Sequence, residues 1–314
     1  MRFKLFLVMA LLAPAAFAKT DALSLIPNDA VSVGVVRLSD MRSSPLSSTL
    51  FNQTDKVSTD GEAELFLRDA GLAPTRDIDI VVVSTSPRTA LGSEAEILVA
   101  ADGRFNIDRL TKALVSRGAV AKKSYYLLPD KSEGHAAAVA FPDAHLALVG
   151  TEDAVAAALA SYAAGGTKFL GASGLGRDAS RIDPHATAWA VIDVVRAQRL
   201  TGGTHIAKGG TPAAEALSSA VKNVSTVALW ATDTGDSVKL GGFGLTHDAE
   251  TLQLLEDTLR GALSAMRLAV QDKSPDMVSV LRRFNVSRTN DSVMITGSVP
   301  ADQIRTWAAK QHTR

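Results

Sequence analysis

Cysteine is absent from all 314 residues, and that absence excludes several things. No disulfide can staple the fold, no thiolate can act as nucleophile or metal ligand, and the lipoprotein route has no Cys to modify. Aromatic residues make up only 5 % of the chain, and Trp189, Trp230 and Trp307 all lie in its second half. That is sparse for stacking platforms that hold bases or sugars. Charge of one sign is not in surplus either, with 33 basic and 33 acidic side chains. The basic pairs Lys122-Lys123 and Arg282-Arg283 are too short to follow a phosphate backbone, so nucleic acid is not an expected partner.

Long hydrophobic runs are also missing beyond the N-terminus. The first eighteen residues read as a secretory leader. Arg2 and Lys4 supply the positive start, Leu5 to Leu12 the apolar stretch, and Ala16-Phe17-Ala18 the small-x-small cleavage pattern. A membrane span needs ~20 apolar residues, and Lys19, Thr20 and Asp21 end this one early. The expectation is export to the periplasm or medium, cleavage after Ala18, and no membrane span thereafter. Removing Arg2 and Lys4 leaves 31 basic against 33 acidic side chains, a formal −2.

What is present is self-similarity. Asp77 to Val83 is rich in β-branched residues and bounded by Pro74 and Pro87, which marks a strand. A shift of 147 carries it onto Val224 to Trp230, and the same shift carries His145–Gly150 onto Ser292–Gly297. Ile97 to Phe105 with the following Asn106 matches Lys239 to His247 with Asp248, each a strand leading into a capped helix. Val31 to Leu38 sits beside Thr187 to Val194. The expected fold class is therefore α+β: two tandem, diverged copies of a strand-helix-strand-strand-helix-strand-helix unit, with helices on one side of mostly antiparallel sheets. The expected boundaries are a leader at 1–18, a first repeat at 21–164, a Gly-rich linker at 165–185 and a second repeat at 186–314.

Local signals place the helices. Asn106 caps a helix with Ile107, Leu110 and Leu114 on one face; Thr151 caps another with Val155, Leu159 and Tyr162; Thr211-Pro212 begins a third. The longest is expected from about Asp248 to Val270, with Leu252, Leu255, Leu259, Leu263 and Met266 inward. A shorter one follows Ser274-Pro275, and the last turns Ile304 and Trp307 inward.

Motifs that carry chemistry fail one after another. Asp233-Thr234-Gly235 spells an aspartic-protease triplet, but its counterpart turn, Ser84 to Ser93, has no Asp to complete the pair such enzymes need. It reads as a hairpin turn. Gly174-Leu175-Gly176 resembles a dinucleotide fingerprint without the strand before it or the helix after it, and reads as linker. Asp77 and Asp79, on one face of a strand, are the candidate metal pair, although hard cations gather six or more oxygens. The six His residues show no zinc spacing, and no Ser occupies a Gly-x-Ser-x-Gly elbow. The candidate catalytic residues are Asp183, His185 and Asp193, which flank the start of the second repeat. No cofactor is expected.

Ile26-Pro27-Asn28-Asp29-Ala30 before a Val-rich strand, then Ser44-Pro45-Leu46, Gly103-Arg104-Phe105 and Leu148-Val149-Gly150, resembles the pattern of a group of exported bacterial proteins of unknown function. The resemblance covers mainly the first half. It implies export and fold, and supplies no active site. The leading expectation is a non-enzymatic exported protein of the cell envelope, binding a small ligand or an envelope protein through the groove between its units, an exposed sheet face or an edge strand. The alternative is a hydrolase with its site at the junction of the repeats.

Overall fold

The computed structural model describes residues 20–47, 49, 51, 61–88, 94–129, 136–172, 174–200, 223–271 and 274–312. The leader, the Thr211-Pro212 start, His135 and His205 fall outside the described residues. After a 3₁₀ turn at Ala22–Leu25, the described strands are β1 Ser32–Arg37, β2 Ile78–Pro87, β3 Ala95–Gly103, β4 Val120–Ala121, β5 Tyr126–Leu127 and β6 Ala137–Asp143. They continue with β7 Leu146–Thr151, β8 Ala188–Asp193, β9 Thr226–Asp233, β10 Ser237–Leu245, β11 Asn285–Arg288 and β12 Ser292–Pro300. The described helices, in chain order, are α1 Leu38–Arg42, α2 Gly61–Ala70, α3 Pro74–Asp77, α4 Ile107–Ser116 and α5 Glu152–Ala163. Then come α6 Leu175–Ala179, α7 Val194–Leu200, α8 Ala249–Val270, α9 Pro275–Leu281 and α10 Ala301–His312.

All twelve strands join one sheet, in the order β11-β12-β10-β9-β8-β1-β2-β3-β7-β6-β5-β4. Every pair is antiparallel. The protein is thus an α+β fold, with one continuous sheet where two separate ones were open to expectation. Outward from its centre the order reads β1-β2-β3-β7-β6 on one side and β8-β9-β10-β12-β11 on the other. A helix follows β3 and β10, and another follows β7 and β12.

The central pair explains the join. Ser32 faces Ile192 and Val36 faces Ala188, Val33 faces Val191 and Val35 faces Trp189, with Gly34 opposite Ala190. Ser32–Arg37 and Ala188–Asp193 differ in number by 156, so this ladder exchanges with itself about Gly34–Ala190. The relation is a local two-fold perpendicular to the sheet, and it returns each face to itself.

Helices cover both faces of the sheet, not one. On the first face Val33, Val35, Val82, Leu98 and Leu148 pack beneath the 3₁₀ turn, α5 and α6, together with Val191, Ala228 and Phe243 from the other half. On the second face Ala101 and Ala147 meet Ala70 of α2 and Leu110 and Ala113 of α4, while Val224 and Val293 meet Leu252, Leu255 and Leu263 of α8. The Val81-Val82-Val83 run carries the reason, because consecutive apolar residues in a strand put hydrophobic side chains on both faces.

The stretch expected to be a linker is packed structure. Phe169, Leu175, Ala179 and Ile182 are buried in the main core. The Thr167 hydroxyl donates to the carbonyls of Ser24 and Ile26 at 3.1 Å. A β-carbon on Gly176 would lie 1.9 Å from the Phe169 carbonyl oxygen, so this glycine serves a close backbone approach and no phosphate. Two smaller expectations also change. Thr151 makes no side-chain cap, because its hydroxyl donates to Glu96, and Met266 is 45 % exposed, because it borders an open hollow between α8 and the sheet.

Candidate functional site: an apolar cleft on the second face

On the second face one row of residues runs through the two-fold. Crossing the strands, Val149, Val99, Val83, Gly34, Ala190, Leu229, Gly242 and Ile295 pair in succession. No hydrogen-bonding or charged side chain interrupts them. The next row, Ala147, Ala101, Val81, Val36, Ala188, Ala231 and Leu240, is apolar as well.

Over the β2-β3-β7-β6 part of this floor, α2 and α4 form the roof of a cleft of about 980 Å³. The Asn106 side chain accepts from the Arg109 N–H and starts α4. Asp108 lies near the positive end of the helix dipole, and the spacing of Leu110, Ala113 and Leu114 turns one face to the sheet. Gly118, with φ +87°, takes the left-handed backbone after that helix. Of the eighteen described lining residues, Arg117 alone is charged. Its guanidinium stands 5.5 Å from the centre of the Phe66 ring and pairs with Asp69 at 2.6 Å, which places one cationic group at the rim of an otherwise hydrocarbon surface.

The residues singled out from the sequence do not converge. The Asp183 carboxylate accepts from the His185 N–H at 2.9 Å and the Thr232 hydroxyl at 3.0 Å. The first of these contacts leads in holding its pKa below the usual carboxylate range. Asp193 accepts from the Arg196 N–H at the far end of β8, with ~16 Å of strand between its two ends. His185 is exposed, and no nucleophile–base pair forms. Asp77 ends α3, where the Arg76 guanidinium holds it at about 2, while Asp79 in β2 is paired with Arg42. Both carboxylates already have cations. Among the described residues no group of three or more His, Asp or Glu is placed to hold a metal ion. Asp233-Thr234-Gly235 is the β9–β10 turn, with Gly235 at φ +83°.

Two polar hollows lie elsewhere on the protein. One of about 540 Å³ gathers Arg104, Asp108 and His145, with the His145 ring nitrogen 3.1 Å from the Gly103 carbonyl. Another of about 330 Å³ holds Arg88 between Glu96 and Asp153. Among the described lining residues of the two, no base meets a nucleophile; Glu96 accepts from the Thr151 hydroxyl, which lies outside the hollow. The cleft residues escaped the sequence reading because apolar strand residues look alike whether they meet a helix or an open space. The available signal was that both faces of β2 are apolar.

The fold and cleft together define an α+β protein with a single antiparallel sheet, helices on both faces and an apolar hollow beneath its second-face helices. Solved structures share the fold. The chain is similar to TP0453 in crystal forms I and III, each with a TM-score of 0.52, at 10 % and 11 % identity, over 93 % of this chain and 99 % of that one. It is similar to crystal form IV with a TM-score of 0.50 at 12 % identity, covering 93 % and 98 %. At such identities the likeness shows the fold alone. No family model and no curated protein matches the chain.

Proposed function

We propose that the protein is a non-enzymatic, exported binding protein of the cell envelope, which takes a ligand with a hydrocarbon body and one anionic end in the cleft beneath α2 and α4. The supporting observation is a cleft of about 980 Å³ with a single charged residue, Arg117, in its lining; its pairing with Asp69 is an exposed one, worth only ~0–1 kcal/mol, so a ligand carboxylate can compete for the guanidinium. Ligand pockets commonly span ~300–1,000 Å³ and combine apolar walls with a few placed polar groups. The leader-like N-terminus supports export, and the mirrored strand order supports descent from a duplicated half. A hydrolase at the junction of the halves has no geometry in its favour, because Asp183 and His185 stand at one end of β8 and Asp193 at the other.

The test is titration of the purified protein with cis-parinaric acid, followed by displacement with palmitate and with hexadecanol. Saturable binding is expected, with Ala101→Trp filling the cleft and removing it. Arg117→Gln is expected to weaken palmitate several-fold and leave hexadecanol nearly unchanged. Binding that survives Ala101→Trp in a folded variant refutes the assignment.

A further inference from the structure

The local two-fold gives the first cleft a counterpart. On the far side of the central pair, β9, β10 and β12 take the places of β2, β3 and β7, and α8 takes the place of α4. A second cleft, of about 380 Å³, lies there between α8 and the sheet. Its floor belongs to the same rows as that of the first: Leu229 is the counterpart of Val83, Gly242 of Val99 and Ile295 of Val149. Its roof is Leu255, Leu259 and Ala262.

Two differences set what it would hold. None of its described lining residues is charged, whereas the first cleft has Arg117 at its rim. The glycines of its floor let side chains settle low, since a β-carbon on Gly242 would lie 2.6 Å from Leu229 and one on Gly244 2.9 Å from Leu255. The lowered leucines occupy part of the room that stays open above Val99 and Ala101.

We infer that the cleft beneath α8 is a second ligand site, taking a compact uncharged apolar molecule, so that one chain carries two unequal sites related by the two-fold. This rests on the first cleft being a binding site. The separation of charge is the specific claim: the acidic amphiphile belongs to the first site alone, and a small neutral ligand enters both.

The experiment uses the full chain and the neutral naphthalene dye prodan, with stoichiometry read by equilibrium dialysis. Two dye molecules per chain are expected, falling to one in Ala262→Trp, to one in Ala101→Trp and to none in the double variant, with palmitate displacing only one of the two. Ala262→Leu, a milder filling, is expected to weaken the second site several-fold if the Trp variant does not fold. One dye per chain, lost in Ala101→Trp and indifferent to both Ala262 substitutions, overturns the second site and leaves the first standing. No dye bound at all overturns both.

Discussion

Two glycines of the one sheet should respond oppositely to the addition of a single methyl group. Gly34 is in β1 on the two-fold, and a β-carbon there would meet nothing within 4 Å. Gly150 is in β7, and its β-carbon would fall 2.0 Å from the carbonyl oxygen of Ile97, inside the 3.0 Å that such contacts respect. Gly34→Ala removes conformational freedom from the unfolded chain without a clash and should stabilise by about 0.5–1 kcal/mol. Gly150→Ala forces β3 and β7 apart by about 1 Å against a strand spacing of ~4.8 Å, and overpacking of that kind should cost about 3 kcal/mol. Urea unfolding followed by tryptophan fluorescence measures both, because Trp189 lies in β8 beside β1. The expected result is a higher midpoint for Gly34→Ala and a much lower one for Gly150→Ala. A loss above about 1 kcal/mol in Gly34→Ala would mean that the second face is covered at its centre and that the floor between the clefts is closed, against the reasoning above.

Ser84 is 2 % exposed and its hydroxyl has no hydrogen-bond partner, so Ser84→Ala should raise stability by about 1 kcal/mol in the same urea assay; a loss of that size would point to an internal water bound there. Acid should weaken the fold through Asp77, which the Arg76 guanidinium holds at about 2, and through Asp183 and Asp291, also held low. Their folded pKa values lie below the unfolded ones, so their stabilisation is present above about pH 4 and disappears as pH falls towards 2. Arg76→Gln should move the acid-unfolding midpoint, read by circular dichroism, to higher pH, and an unmoved midpoint would remove Asp77 from the account.

The order of elements was legible in the sequence because each leaves a local signal. Asn106 and Asp248 are caps that accept from the N–H three residues on, the hairpin turns are polar, and the strands are β-branched. Register was legible at the central pair, where setting Val31–Leu38 beside Thr187–Val194 gives the offset of 156 that the ladder has, and not beyond it. Matching Val83 with Trp230 by a shift of 147 is one residue out, since the ladders make Leu229 its counterpart. The match of Val149 with Thr296 fails in the same way, because Ile295 occupies its place. A slip of one residue moves a side chain to the opposite face, and strands apolar on both faces give no parity to correct it. The packed 165–185 stretch was obscured for a different reason: Gly171, Gly174 and Gly176 suggest freedom, yet Gly176 marks a tight approach to the Phe169 backbone. The cleft itself depends on which apolar residues are left without a neighbour, and that follows only from the placement of α2, α4 and α8.

The way the two halves are joined decides what the second face can do. A two-fold perpendicular to the sheet keeps α4 and α8 on the same side, and a join through β1 and β8 places the clefts on either side of the axis. Had the halves met through β6 and β11, each cleft would instead be reached across its own outer strands. Here the floor passes without a polar side chain from Val99 through Val83, Gly34 and Ala190 to Leu229, four strand spacings or ~19 Å. Gly34 and Ala190, the smallest side chains of the row's central strands, keep that floor low at the axis. The difference between the clefts then comes from the roofs together with the glycine floor of β10. α4 has 10 residues and needs α2 beside it, whereas α8 has 22, about 33 Å of helix at ~1.5 Å per residue. Its Leu255, Leu259 and Leu263 reach down over a glycine floor and reduce the space beneath it. A short roof over one set of strands and a long one over its counterpart give a large hollow and a small one, so substitutions that tune ligand selectivity at the second site belong on α8, at Leu259 or Ala262, or at Gly242 of β10 beneath them.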